Sequence, residues 1–452
     1  MSKYAETQEH TRMIIDFICD TRYEDIPEIV RERAKGRILD TIGVAYKAGA
    51  EPAGQIAKEY AKMYGGYPKA TVVNAKFKTD IFNATFTNGI LMHACDYDDH
   101  FVLSHPSIGV VPALLSIAEL TGASGKEMIT AFVIGIEIYT KIQQVTTTEP
   151  WYRGFHGSGI WASLSSVAAA GRLLSLDKDQ MLMAWGIACS TFGGIKRNAG
   201  THTKSYHSGD TASGGVRAAL LAKMGFTSHV NAFEGENGYL HCFCTAPKME
   251  FIEQLGKVWD LQEHPTLIKP HPSCGGTHAA LNGMLELVRK YDIKEEDVAK
   301  IDVGMNAGGS QTTFFKDPKD IYEAKFSIHF VIAMALHYRR WGMALHTQEV
   351  VNDPAMKAIY KKVNFYMDEE LDRSIPRDYT DYHAIVKVTL NDGTEYKIHA
   401  HPPVLDYADI KEKFYDCTCR SNIITDAHAD KIIDLVRDLE NYEIGDLISL
   451  IS

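Results

Sequence analysis

The run HACDYDDHFVLSHPSIGVVPALLSIAEL, from His93 to Leu120, limits what this chain can become more than any other stretch. Asp96, Asp98, Asp99, His100 and His105 crowd together and then give way to a helix-spaced apolar series, Val110, Val111, Leu114, Leu115, Ile117, Ala118 and Leu120. Pro112 reads as a first-turn residue of that helix, where its missing N–H costs nothing. Ionisable groups this dense, bounded by apolar helices, must meet water, one another or a ligand. Taken singly, Asp98, Asp99 or His100 reads better as part of a solvated turn. The cluster as a whole reads as a pocket wall at a helix entrance.

A second polar concentration lies at IKRNAGTHTKSYHSGDTASGGVRAALLAKMGF, where Lys196, Arg197, His202, Lys204 and His207 precede a helix of small residues. The chain carries 47 basic against 58 acidic residues, net −11, so it offers no basic footprint for nucleic acid or anionic membrane, and any cations that matter are local. A cationic loop feeding a helix N-terminus suits a carboxylate or phosphate. His156, in GFHGSG ahead of an Ala/Ser/Gly-rich central helix, reads equally as a cavity histidine and as a hydrogen-bonded loop histidine. Lys269, His271, Cys274 and His278 open a further helix in IKPHPSCGGTHAAL.

At 452 residues the chain is too long for one small core. Residues 1–266 read as helices, with capping boxes at Asp25/Glu28 and Ser124/Glu127 and helix starts at Asp80 and Asp177. From Leu267 the character changes. KIDVGMN and YHAIVKVTLNDGTEYKIHAHP read as strands, the latter a hairpin about Asn391-Asp392-Gly393, and helices EAKFSIHFVIAMALHY and DPAMKAIYKKV lie between them. The expected fold is mainly α with an α+β second domain: a helical domain over 1–266, an α+β domain over 267–404, and a helical return over 405–452. Eight scattered cysteines suit free thiols, and the C-x-C pairs Cys242/Cys244 and Cys417/Cys419 lack zinc-knuckle spacing. No signal-type N-terminus or membrane-length apolar run occurs, so a cytoplasmic protein is expected. Neither a G-x-G-x-x-G after a strand, a Walker loop nor a G-x-S-x-G elbow is present, and no cofactor is expected.

DTIGVA, NGILMHACDYDD, HPS, GFHGSG, GTHTKSYHSG, KPHPSC and EAKFSI, in this order over nearly the whole chain, resemble the MmgE/PrpD family. That family includes 2-methylcitrate dehydratase, cis-aconitate decarboxylase and iminodisuccinate epimerase. The resemblance implies a large helical domain, a smaller α+β lid domain and a homodimer. By motif it carries pocket roles to Asp96, His105, His156, Lys204 and Lys269 as catalytic residues, with Cys274 at a position that varies between histidine and cysteine. Phe330 stands where the decarboxylase has a tyrosine, and His100 where threonine or serine is usual. His100, His207, Cys274 and Lys196 are expected to bind substrate.

These reactions share one difficulty: charge develops on a carbon beside a carboxylate. Lys204 and Lys269 could neutralise substrate carboxylates and the enediolate-like state, His105 and His156 could move the proton, and Asp96 could orient a histidine. The expected function is a cofactor-independent lyase, dehydratase or decarboxylase, acting on a small di- or tricarboxylate. An epimerase of an iminodisuccinate-like dicarboxylate is the alternative enzyme. Two readings from other classes are a non-catalytic carboxylate-binding protein and a Mg²⁺ hydrolase using Asp96, Asp98 and Asp99.

Overall fold

The structure, a computed structural model, describes residues 2–264, 266–374 and 382–452. It contains two compact units, the first Met1–Leu267 with Ile410–Ser452, the second Ile268–Asp409. A large helical body and a small mixed sheet with its own helices match the expected fold class.

The helices of the first unit that bear on the site are α1 (Glu28–Ala48), α2 (Ile81–His93), α3 (Ser107–Thr121), α4 (Gly125–Thr146), α5 (Ala162–Leu173), α6 (Lys178–Ala188) and α7 (Thr203–Lys223). Asp80 starts α2 by accepting the N–H groups of Phe82 and Asn83 at 3.0 and 3.1 Å. Ser124/Glu127 form the anticipated capping box of α4, and α6 starts at Asp177 as anticipated, in a capping box with Gln180. The box expected at Asp25/Glu28 does not form. Pro27 caps α1, because the Asp25 carboxylate is taken by the backbone N–H and guanidinium of Arg22.

α3, α4 and α5 are buried almost all round, as helices central to a large body must be. Each fully buried Leu, Ile or Val there contributes about 1.5–3 kcal/mol. Pro112 lies inside α3, beyond its first turn, which differs from the sequence reading. Its missing N–H leaves the Ile108 carbonyl without its helical donor. The Ser208 hydroxyl of α7 donates to that carbonyl at 3.1 Å.

α7 packs against α2, α3, α5 and α6. Its crossing with α2 depends on two glycines: a Cβ on Gly89 would meet the Gly209 Cα at 2.7 Å, and one on Gly209 would meet the Phe86 carbonyl oxygen at 2.3 Å. The contact therefore brings backbone against backbone. It fixes the end of α2, at His93, relative to the beginning of α7, at Lys204.

In the second unit, α8 (His278–Tyr291), α9 (Ile328–His337) and α10 (Pro354–Tyr360) accompany strands β1 (Val298–Met305), β2 (Val363–Met367), β3 (Ala384–Leu390) and β4 (Glu395–Ala400). The sheet order is β2-β1-β3-β4, with β1 parallel to β2 and the other pairs antiparallel. Asp353 caps α10 as anticipated. The helical reading of DPAMKAIYKKV overruns, since the helix ends at Tyr360 and Val363 begins β2. Ala279, Leu281, Met284 and Val288 of α8 join Val386 and Val388 of β3 in this unit's core. Among the described residues no helix is long and apolar enough to cross a membrane. All eight cysteines are free thiols.

Candidate functional site

α2 ends at His93, and the chain then turns sharply through residues 94–106 before α3. Asp96 and Val102 take φ of +52°. For a β-branched residue such as Val102 that conformation costs on the order of 1–3 kcal/mol, so the surrounding contacts must impose it. Several are visible. Asp99 accepts the N–H and hydroxyl of Ser107 at 3.1 and 2.8 Å, which caps α3. Ser104 donates to Gln143 of α4 at 2.6 Å. Lys413, from the C-terminal segment, pairs with Asp40 at 2.7 Å and donates to the Tyr97 carbonyl.

Inside this turn Asp98 serves two imidazoles at once. Its Oδ1 lies 2.9 Å from His93 Nδ1 and its Oδ2 lies 2.9 Å from His105 Nδ1. His105 Nδ1 also sits 2.9 Å from the Asp99 carbonyl oxygen, which can only accept, so that nitrogen carries the hydrogen. The Nε2 lone pairs of both rings are thereby left to face inward. Burial works against charge on Asp98, but the two imidazoles hold its carboxyl well below the usual range. Burial lowers His93 below the ordinary imidazole value. Burial raises Asp99, against the pull of the Arg37 guanidinium, which burial itself lowers to about 10.

Lys204, in the first turn of α7, projects its ammonium into the same place. Nζ lies 2.9 Å from Asp96 Oδ1, 3.0 Å from His93 Nε2 and 3.5 Å from His105 Nε2. His156, just before the short helix Gly157–Ile160, faces His207 of α7 with Nδ1 atoms 3.0 Å apart. Its ring stacks 5.9 Å from that of His93 and lies 6.4 Å from that of His105. Burial first, then the Lys204 charge, holds His156 well below its ordinary value. Burial, His93 and Lys204 bring His207 down to about 4. The result is four imidazoles, those of His93, His105, His156 and His207, gathered with the Lys204 ammonium and the Asp96 and Asp98 carboxylates. Such a set can remove or deliver a proton and can neutralise an anion in the same small volume.

Single ring nitrogens of His93, His105 and His156 lie within 4.8 Å of one another, as do donor atoms of His93, Asp96, Asp98 and His105. Either set could reach a metal ion, but Lys204 already donates to His93 and Asp96, and an ion there must displace it. Asp99, committed to Ser107, is not part of a three-carboxylate group with Asp96 and Asp98.

Of the residues proposed from sequence, Asp96, His105, His156, Lys204 and His207 converge. Lys196 does not. Its ammonium stands 3.4 Å over the Trp151 ring and donates to the Trp151 carbonyl at 3.3 Å. His100 is buried on a backbone bridge to Leu267. In the second unit Lys269 is fully buried, and Cys274, half-buried, precedes the turn Gly275–Thr277. Lys204 and His207 lie within α7, whereas the sequence reading put them in a loop ahead of it. The helix starts early because Thr201 Oγ accepts the Thr203 N–H at 3.2 Å. His93 and Asp98 are central to the geometry; His93 was not among the sequence candidates, and Asp98 was named only as a member of the polar cluster and as a Mg²⁺ ligand of the hydrolase reading.

Residues 12–252 match the model of the MmgE/PrpD N-terminal domain and residues 271–441 that of the MmgE/PrpD C-terminal domain. Human cis-aconitate decarboxylase is 26% identical over 433 residues, covering 92% of this chain and 88% of the relative. The 2-methylcitrate dehydratase of Cupriavidus necator is 22% identical over 416 residues, 84% of this chain and 82% of the relative. That of Escherichia coli is 22% identical over 419 residues, 85% and 83%.

Proposed function

Because this chain belongs to the MmgE/PrpD family, we propose that it is a lyase acting on a small tricarboxylate or dicarboxylate, by dehydration or decarboxylation. The observation that carries this reading is the Lys204 ammonium held within 3.5 Å of His93, His105 and Asp96, with His156 and His207 behind it. A substrate carboxylate competes with Asp96 for Lys204. The ammonium then opposes the negative charge that grows as a proton or CO₂ leaves the adjacent carbon. His105, with its Nε2 lone pair facing inward, is the proposed base, and His156 the proton donor or second base. For Lys269, Cys274 and His100 the assignment rests on the family likeness, as does a homodimer. The relatives reported above are decarboxylases and dehydratases, so the epimerase alternative draws no support from them.

The test is turnover of cis-aconitate and 2-methylcitrate by the purified chain, followed as CO₂ release and as appearance or loss of the alkene. Lys204→Met is expected to lower kcat/KM by about 10²–10³-fold, the loss typical of a preorganised charge at a reacting centre. Lys269→Met is expected to raise KM. Binding of these acids without turnover would support the carboxylate-binding reading and overturn the lyase.

A further inference from the structure

A different group of titratable side chains lies in the second unit and includes no residue assigned a role above. His383, His399 and His401 each offer one ring nitrogen, and these atoms all lie within 4.8 Å of one another. His399 and His401 are exposed and His383 is half-buried. His383 Nδ1 and His399 Nε2 stand 3.0 Å apart. The ring centroids of His383 and His401 are 4.2 Å apart and those of His399 and His401 are 5.0 Å apart.

The hairpin forces this convergence. Ala384 pairs with Ala400 and Ile385 with His399, so continuing the antiparallel register sets His383 opposite His401. Side chains alternate across a sheet. Ala384 and Ala400 are buried, and a Cβ built on Gly283 of α8 would lie 2.8 Å from the Ala400 methyl. Residues 383, 399 and 401 must therefore share the opposite, outward face. β4 is an edge strand of the sheet. The backbone N–H of His383 donates to Asn306 Oδ1 at 3.3 Å, which anchors the start of the hairpin.

We propose that His383, His399 and His401 form a binding site for a divalent borderline transition-metal ion of the Zn²⁺ class. Imidazole is a preferred ligand of such ions, and nitrogens about 2.0–2.1 Å from a tetrahedral Zn²⁺ lie about 3.3 Å from each other. The 3.0 Å pair is close to that spacing, and the His401 nitrogen lies within 4.8 Å of both. On binding, the hydrogen between His383 and His399 moves to the outer nitrogen of its ring by exchange with water, which frees both facing lone pairs. Three protein ligands leave a fourth position to water.

The test uses the full-length, chelator-treated chain titrated with Zn²⁺ by calorimetry, and with Co²⁺ by visible d–d absorption. One equivalent of Zn²⁺ is expected to bind at micromolar or tighter affinity, with tetrahedral-type Co²⁺ absorption. His399→Asn and His401→Asn should each weaken it about tenfold or more, and the triple variant with His383→Asn should abolish it. Zn²⁺ should also raise the melting temperature of the wild type and not that of the triple variant. Absence of a stoichiometric equivalent, or its persistence in the triple variant at unchanged affinity, would overturn the site. Because His399 and His401 are exposed, the variants should retain the native circular dichroism spectrum, so loss of metal is separable from loss of fold.

Discussion

Asp98 is the residue on which the site's proton positions turn. Its Oδ1 accepts from His93 Nδ1 and its Oδ2 lies 2.9 Å from His105 Nδ1, whose hydrogen the Asp99 carbonyl also draws, so both rings turn Nε2 toward Lys204. Asp98→Asn keeps the shape but offers an N–H to one ring, which must then move its hydrogen to Nε2 and cease to act as a base. The variant is expected to lose about 10²–10⁴-fold in kcat with a smaller change in KM, as steady-state kinetics would show. An unchanged kcat would remove Asp98 from the positioning role. His156 and His207 bear on stability as well. Both are held below the unfolded value of 6.5, His207 to about 4, so between those limits the unfolded chain binds more protons than the folded one. Stability should therefore be intact above about pH 6.5 and fall as the pH drops toward 4, read as the melting temperature across that range; His207→Asn should flatten part of the slope. Asp96, His105, His156 and Lys204 were legible in the sequence as polar groups beside apolar helices. His93 was not, because at the end of the apolar run GILMH it looks like a core residue, and its pairing with Asp98 depends on the left-handed turn at Asp96.

The α2–α7 crossing is the element that converts chain geometry into site geometry. Gly209→Ala would push a methyl into the Phe86 carbonyl, a backbone atom that cannot step aside. The two helices must separate, at a cost of about 1–3 kcal/mol, and Lys204 withdraws from His93. A lowered melting temperature together with reduced kcat/KM is the expected outcome; normal kinetics in a destabilised protein would show that the crossing does not position the ammonium. Helix starts with a polar cap, such as Asp80, Ser124, Asp177 and Asp353, were legible because the signal is local. The early start of α7 was not: Thr, Ser, His and Gly favour loops when read alone, and it takes the Thr201 hydroxyl on the Thr203 N–H together with burial against α2, α3 and α5 to hold them helical. For the same reason Pro112 could stand within α3, since Ser208 on another helix supplies the donor its carbonyl partner lacks. β2 was hidden because its parallel pairing with β1 joins residues some sixty positions apart.

Across the whole molecule the chain is acidic, net −11, yet its proposed guest is a polyanion. Attraction must come from a few placed cations, and bound tricarboxylate should stabilise the fold by about 2.7 kcal/mol at a hundredfold excess over Kd. That gain, read as a rise in melting temperature, should be lost in Lys204→Met. Composition offered no overall basic footprint for nucleic acid or anionic membrane, and the ordered motifs carried the family likeness. Neither could show that Asp98 would bridge two rings. The most direct measurement is turnover of cis-aconitate and 2-methylcitrate in deuterated buffer by the wild type and by folded Lys204→Met and His105→Asn variants, analysed by NMR. Wild-type turnover, with the decarboxylation product bearing deuterium at the carbon beside a carboxylate or the dehydration product an alkene that has lost its hydrogen there, and with both variants at least about 10²-fold slower, is the expected result. Wild-type rates in either variant, or no product and no exchange in the wild type, would contradict the assignment of chemistry to this cluster.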